Sequence, residues 1–208
     1  MNNKARQFVS GNLLDLGKAA LLTAFFLSGV AANAQVRNPS FSADQVQVMR
    51  GKTTTSKIYS SEKAIRTESV ERGKQRITIL RLDQKAVWVL DPEQKTYMDT
   101  GGIGASGMEM ANNAADAKRQ RDLLGSEQVG PYHCDKYHVQ ITYEGHVYNS
   151  IEWDAKELDG FPVKQADDKG SWYKEYQNVK LGPQDPALFE VPSDYRKIDL
   201  GALFKPRS

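Results

Sequence analysis

The chain is 208 residues long, with 28 lysines and arginines against 26 aspartates and glutamates and a single cysteine. Such near balance, with no basic run interleaved with aromatics, argues against nucleic acid and acidic lipid surfaces as partners. One cysteine excludes a disulfide framework within the chain.

Lys4, Arg6 and Lys18 lead into the apolar run Ala19 to Val30, which ends at Ala32-Asn33-Ala34. A basic lead, an apolar stretch and a small-x-small end form the pattern of a secretory signal peptide. The apolar run is roughly a dozen residues, short of the ~20 that span a bilayer as a helix. Residues 1–34 are therefore expected to be removed between Ala34 and Gln35, which places the mature chain in the periplasm or outside the cell. No cysteine stands near that point to accept a lipid, so no stable membrane anchor is expected. Residues 35–208 carry 25 basic and 25 acidic side chains and suit a single domain, large enough to bury about two thirds of its unfolded surface.

From Gln45 to Met98 short alternating segments are separated by turn residues, the pattern of an antiparallel meander joined by hairpins. Strands are expected at Gln45–Arg50, Thr53–Ser60, Ala64–Val70, Gln75–Arg81, Ala86–Leu90 and Thr96–Met98. Ile77 and Ile79 share one face of their strand, and Arg76 and Thr78 share the other, which reads as wet. Ala86 to Leu90 is apolar on both faces, with Trp88 and Leu90 opposed to Val87 and Val89, as in a central strand covered on two sides.

The expected cover is a helix over 105–124, which holds good helix formers and no proline. Its apolar stripe of Met108, Met110, Ala111, Ala114, Ala115 and Leu123 is thin, so it reads as a lid. A second β run is expected at Ser126–Val129, Lys136–Tyr143, His146–Trp153, Phe161–Gln165 and Ser171–Val179. Tyr137, Val139, Ile141 and Tyr143 share one face there. Pro183, Pro186, Pro192 and Pro206 make most of the tail irregular.

Cys134 reads as a small buried residue at the start of a strand; pairing between chains or redox sensing would need an exposed, electropositive setting. His133, Cys134, His138 and His146 lie close in sequence but lack the spacing of a structural zinc site, so neither a metal nor a cofactor is expected. Glu68, Asp91, Glu152 and Asp154 belong to no catalytic motif and read as solvated strand faces. There is no Gly-x-Ser-x-Gly elbow, phosphate-cradling glycine loop or His-Glu-x-x-His pair, so no catalytic residue and no enzyme activity are assigned.

An ordered series of short motifs carries a family resemblance: Gly51 with Lys57-Ile58-Tyr59, Lys63-Ala64-Ile65-Arg66-Thr67-Glu68, Ile77-Thr78-Ile79-Leu80-Arg81 and Val87-Trp88-Val89-Leu90-Asp91-Pro92. Lys95-Thr96-Tyr97, Gly125-Ser126-Glu127-Gln128-Val129-Gly130, Cys134-Asp135-Lys136-Tyr137 and Leu188-Phe189-Glu190-Val191-Pro192 continue it. Together they resemble the LolA-like superfamily of exported bacterial proteins, in its uncharacterised periplasmic branch of unknown function. The resemblance implies a mainly β fold with a helical cover: a curved antiparallel sheet, an open half-barrel whose concave apolar face holds acyl chains in the carrier members.

An acyl-chain groove needs broad apolar surface with few polar anchors. Trp88, Tyr97, Tyr137, Trp153 and Phe161, with Met108 and Met110 from the lid, are the cavity candidates. Arg66 shares a strand face with Glu68 and reads either as part of a surface ion pair with its hairpin neighbours or as a residue at the cavity mouth, holding a lid or a ligand head group. The expected function is non-catalytic binding of a hydrophobic or acylated ligand, as a lipid or lipoprotein carrier with envelope lipoproteins as partners. The alternative is an envelope interaction or sensor module whose sheet is filled by its own side chains.

Overall fold

The computed structural model describes residues 39–100, 118–143 and 146–198. They form β1 (Phe41–Met49), β2 (Lys52–Ser60), β3 (Ala64–Glu71), β4 (Lys74–Arg81), β5 (Ala86–Asp91) and β6 (Thr96–Asp99). After these come β7 (Lys118–Val129), β8 (Tyr132–Tyr143), β9 (His146–Ala155), β10 (Phe161–Asp167), β11 (Trp172–Leu181) and β12 (Arg196–Ile198). All lie in one sheet of order β12-β6-β5-β4-β3-β2-β1-β11-β10-β9-β8-β7. Every pairing is antiparallel except β6 with β12. Two-residue turns set the register of the first hairpins. Arg50 and Gly51 (φ 50° and 74°) and Arg72 and Gly73 (φ 53° and 78°) adopt consecutive left-handed conformations, whose twist matches that of the flanking strands.

The expected meander is present, with β1 starting at Phe41 rather than Gln45. The helix expected over 105–124 is corrected in its last part. Residues 118–124 open β7, which pairs with β8 along its length, and Leu123, counted in the helical stripe, is 62% exposed. Helix propensity there is overridden by the ladder and by Arg119 and Arg121, which reach β9 at a period of two. The rest of that helix, with Met108 and Met110, lies outside the described residues, as do the expected leader and its cleavage point. Among the described residues there is no α-helix, only 3₁₀ turns at Lys156–Leu158 and Pro186–Phe189.

The expected wet face of β4 is a second correction, because Arg76 is buried. Both faces of the sheet are in fact covered over β3 to β5. On the Trp88 face the cover is the C-terminal tail: Phe189 packs against Ala64, Ile77, Ile79 and Leu90, with Trp88, Tyr97 and Tyr195 around them. Arg66 Nη1 donates to the Leu188 carbonyl at 3.0 Å, Arg81 Nη1 to the Phe189 carbonyl at 3.2 Å, and Arg81 also pairs with Glu190. The tail then leaves as β12, with Lys95 bound to Asp194 at 2.7 Å.

The larger cluster takes in the opposite, Phe41 face, where Phe41, Ile58 and Val163 have no exposed surface, and is joined by Cys134, Trp153 and Ala155 from the alternate register positions of β8 and β9. Burial to that degree on one side of a single sheet requires either a cover on that side or a sheet that folds over on itself. Phe189→Ala should cost about 3 kcal/mol or more, because it empties the apolar contact that anchors the tail. Urea unfolding of the variant tests this; an unchanged midpoint would mean that the tail does not hold the Trp88 face.

Candidate functional site

Register carries a row of polar side chains across the Phe41 face. Gln45 on β1 faces Tyr176 on β11, Lys174 on β11 faces Gln165 on β10, and Gln165 faces Glu152 on β9. Glu152 faces Tyr137 on β8, and from β7 Arg121 faces Val139 on that same strand. Directly opposed strand residues project to the same side, so these groups share one face with Phe41 and Ile58. Gln45, Glu152, Asp154, Gln165, Lys174 and Tyr176 are all buried.

Glu152 is the hub of this row. Arg119 Nη2 donates to its two oxygens at 2.7 and 2.9 Å, Gln165 Nε2 donates to Oε2 at 2.7 Å, and Arg121 Nη2 lies 3.1 Å from Oε1. Arg121 also pairs with Asp154, and its guanidinium carbon stands 4.0 Å from the centre of the Tyr137 ring. Lys174 Nζ lies 5.0 Å from the centre of the Tyr176 ring. Tyr176 in turn meets Phe41 at 5.5 Å and Phe161 at 5.8 Å, while Phe41 and Phe161 pack edge to face at 4.8 Å. A polar belt and an aromatic cluster therefore adjoin on one face.

Burial sets the electrostatics of the belt. It raises the Asp154 carboxyl to about 6, helped by the neighbouring charge of Glu152 and opposed by Arg121. It also lowers the Lys174 ammonium to about 7, with Glu152 pulling the other way, and it pushes the Tyr176 hydroxyl well up.

Each shift has a definite sign in stability. Asp154 binds protons more tightly folded than unfolded, so its contribution falls as pH rises from its ordinary 3.8 through about 6. Lys174 binds protons less tightly folded than unfolded, so its contribution rises as pH climbs from about 7 toward its ordinary 10.5. The belt should thus stabilise least between pH 6 and 7. Denaturation across pH 4 to 10 tests this: Asp154→Asn should flatten the acid limb and Lys174→Met the alkaline limb. Limbs unchanged in both variants would mean that the belt is not the source.

The residues expected to form a site are distributed over both faces. Phe161 and Tyr137 stand on the Phe41 face, the first in the aromatic cluster and the second under Arg121. Trp88, Tyr97 and Arg66 lie on the other face, against the tail, where Arg66 pairs with Glu68 at 2.6 Å and donates to the Leu188 carbonyl. Trp153 faces Lys164 and Lys136 in register, its indole N–H donates to Glu127 Oε1 at 2.5 Å, and its ring joins the larger core cluster beside the β10 bulge.

Glu152 and Asp154 correct the reading of solvated carboxylates. The signal for the belt is polar side chains at a period of two, in Arg119 and Arg121, Glu152 and Asp154, and Lys174 with Tyr176, and it is readable only once β7 is known to be a strand. Cys134 is fully buried, and that burial raises its thiol to about 11, which fits the structural reading.

Residues 45–150 match a protein family described as a domain of unknown function, DUF4412. An uncharacterized conserved protein from Thermus thermophilus has a similar fold: 14% identity, 91% of this chain and 98% of that chain covered, and a TM-score of 0.51. The lipoprotein LppX of Mycobacterium tuberculosis is 12% identical over 85% of this chain and 98% of that chain, with a TM-score of 0.44. A LolA superfamily protein from Nitrosomonas europaea is 12% identical over 84% and 97%, with a TM-score of 0.34. No curated protein matches the sequence. With residues 45–150 of 208 matched, the chain belongs to the DUF4412 family, an uncharacterised family as the resemblance implied.

Proposed function

We propose that this chain is exported, that its sheet is curved with the Phe41 face inward, and that this face binds a hydrophobic or lipidated ligand without catalysis, as a lipid or lipoprotein carrier. The observation that carries the reading is the adjacency, on one side of a single sheet, of an apolar aromatic surface and a limited set of buried polar groups. Binding sites for amphiphiles have that composition: broad apolar lining with a few polar groups that fix orientation. Burial of an acyl chain contributes ~0.8 kcal/mol per methylene, so a face covering part of a chain binds usefully before any polar contact is counted. The basic-apolar-small pattern of residues 1–34 supports export.

A second reading draws on the close packing of Phe41, Phe161 and Tyr176 on one another. A face filled by its own side chains suits an envelope interaction module that carries no cargo. Native mass spectrometry of the mature protein purified from its host's periplasm, followed by lipid extraction, separates the two. Added mass that extracts as a lipid or acylated peptide is the expected result. A bare mass, together with no uptake of a fluorescent fatty acid, would replace the carrier by the interaction module.

A further inference from the structure

The polar belt contains atoms that its own hydrogen bonds leave over. Gln45 is 6% exposed, Tyr176 4% and Asp154 8%, and among the described residues Gln45 Oε1, the Tyr176 hydroxyl and Asp154 Oδ1 have no hydrogen-bond partner. Such atoms are rare in folded proteins, because each forfeits its water without replacement. They are also not scattered: Gln45 and Tyr176 are direct partners across β1 and β11, and Asp154 lies two strands beyond β11, next to the β10 bulge between Pro162 and Lys164. Tyr176 belongs to the aromatic cluster, and Gln45 is its direct partner across the ladder.

Their chemistry is one-sided. An amide oxygen and a carboxylate oxygen can only accept, and a hydroxyl both accepts and donates. Of the positive groups beside them, Arg119 and Arg121 are engaged by Glu152 and Asp154, and the Lys174 ammonium, on the same strand face as Tyr176, lies 5.0 Å from its ring and feels the charge of Glu152. An anionic head group would meet the carboxylates of Glu152 and Asp154, set against the Lys174 ammonium and the Tyr176 hydroxyl. A head group rich in N–H or O–H donors would meet unsatisfied acceptors. Resting on the carrier reading above, we propose that Gln45, Tyr176 and Asp154 form a head-group site selective for amphiphiles whose polar end donates hydrogen bonds, an amine or a polyol, with the alkyl chain laid on the Phe161 side of the face.

The test compares three probes with the same chain length on the full mature protein: hexadecylamine, monopalmitoylglycerol and methyl palmitate, the last with no donor. Two buried acceptors gaining donors should favour at least one donor-bearing probe over methyl palmitate by about tenfold or more. Preference for the amine or for the glyceride identifies which donor the site takes, and either supports the proposal. Tyr176→Phe and Gln45→Leu keep the side-chain shape and remove an unsatisfied atom, so both should fold, as a thermal melt would verify. Each should narrow the ratio, and the double variant should narrow it more than either, with Asp154 supplying what preference remains; an unchanged ratio in the double variant would overturn the site. Equal binding of all three probes by the unaltered protein would overturn the head-group site and leave the carrier reading intact. No binding of any probe would overturn the carrier reading itself, and the site with it.

Discussion

Glu152 is a carboxylate with almost no surface open to water, in the middle of a twelve-stranded sheet. Left alone such a group would be protonated or expelled, since an isolated buried charge is among the costliest things a fold can hold. Two guanidiniums from β7 and an amide from β10 meet it instead, and the Lys174 ammonium on β11 feels its charge. Those requirements fix much else. Arg119 and Arg121 reach β9 across β8, which is possible only if β7 is extended and both side chains project to one side. Gln165 has to face inward on β10, and the bulge between Pro162 and Lys164 sets the register on either side of it. The ionic hub is thus a registration device for one half of the sheet as well as a local charge balance.

The two faces are closed by different chemistry. Over β3 to β5 the Trp88 face is sealed by a short apolar plug, Phe189, whose flanking carbonyls are held by Arg66 and Arg81. These arginines let an otherwise irregular, proline-containing tail lie on the sheet with its backbone groups satisfied. The edges are managed as well. β12 is only three residues long and carries Arg196 and Lys197, while β7 is long but charged and bulged between Leu123 and Gly125. Charge, shortness and bulges are the standard protections against edge-to-edge pairing.

The meander was legible because its turns are local: Gly51 and Gly73 supply left-handed conformations that tight hairpins need, and the strands between them alternate. Two-sided burial of β5 was legible too, from Trp88 and Leu90 opposed to Val87 and Val89. What covers them was not, because the tail reaches the sheet through contacts more than one hundred residues apart, such as Arg66 with Leu188. The belt failed to show for a related reason. Arg119, Glu152, Gln165 and Lys174 each look like ordinary surface residues alone, and only the pairing of β7 to β11 places them on one side. Residues 118–124 misled because Arg, Gln and Leu favour helices, a local preference that non-local strand pairing overrode.

A face built wholly of leucine and valine in place of the belt would be expected to cost less, since replacing buried ionic groups by packed apolar ones is often neutral or stabilising. It would also bind alkyl chains with little regard to what they are attached to, because an apolar surface distinguishes ligands only by size and shape. A site whose buried acceptors wait for donors behaves differently: a ligand without donors leaves those acceptors unpaired, and the penalty recurs with every wrong ligand. Here the unsatisfied oxygens and the aromatic cluster share Tyr176, whose ring belongs to one and whose hydroxyl belongs to the other. Under the proposed head-group site, that one residue would join apolar attraction to polar discrimination, and the stability forgone in the belt would be of the kind that selectivity for an amphiphile requires.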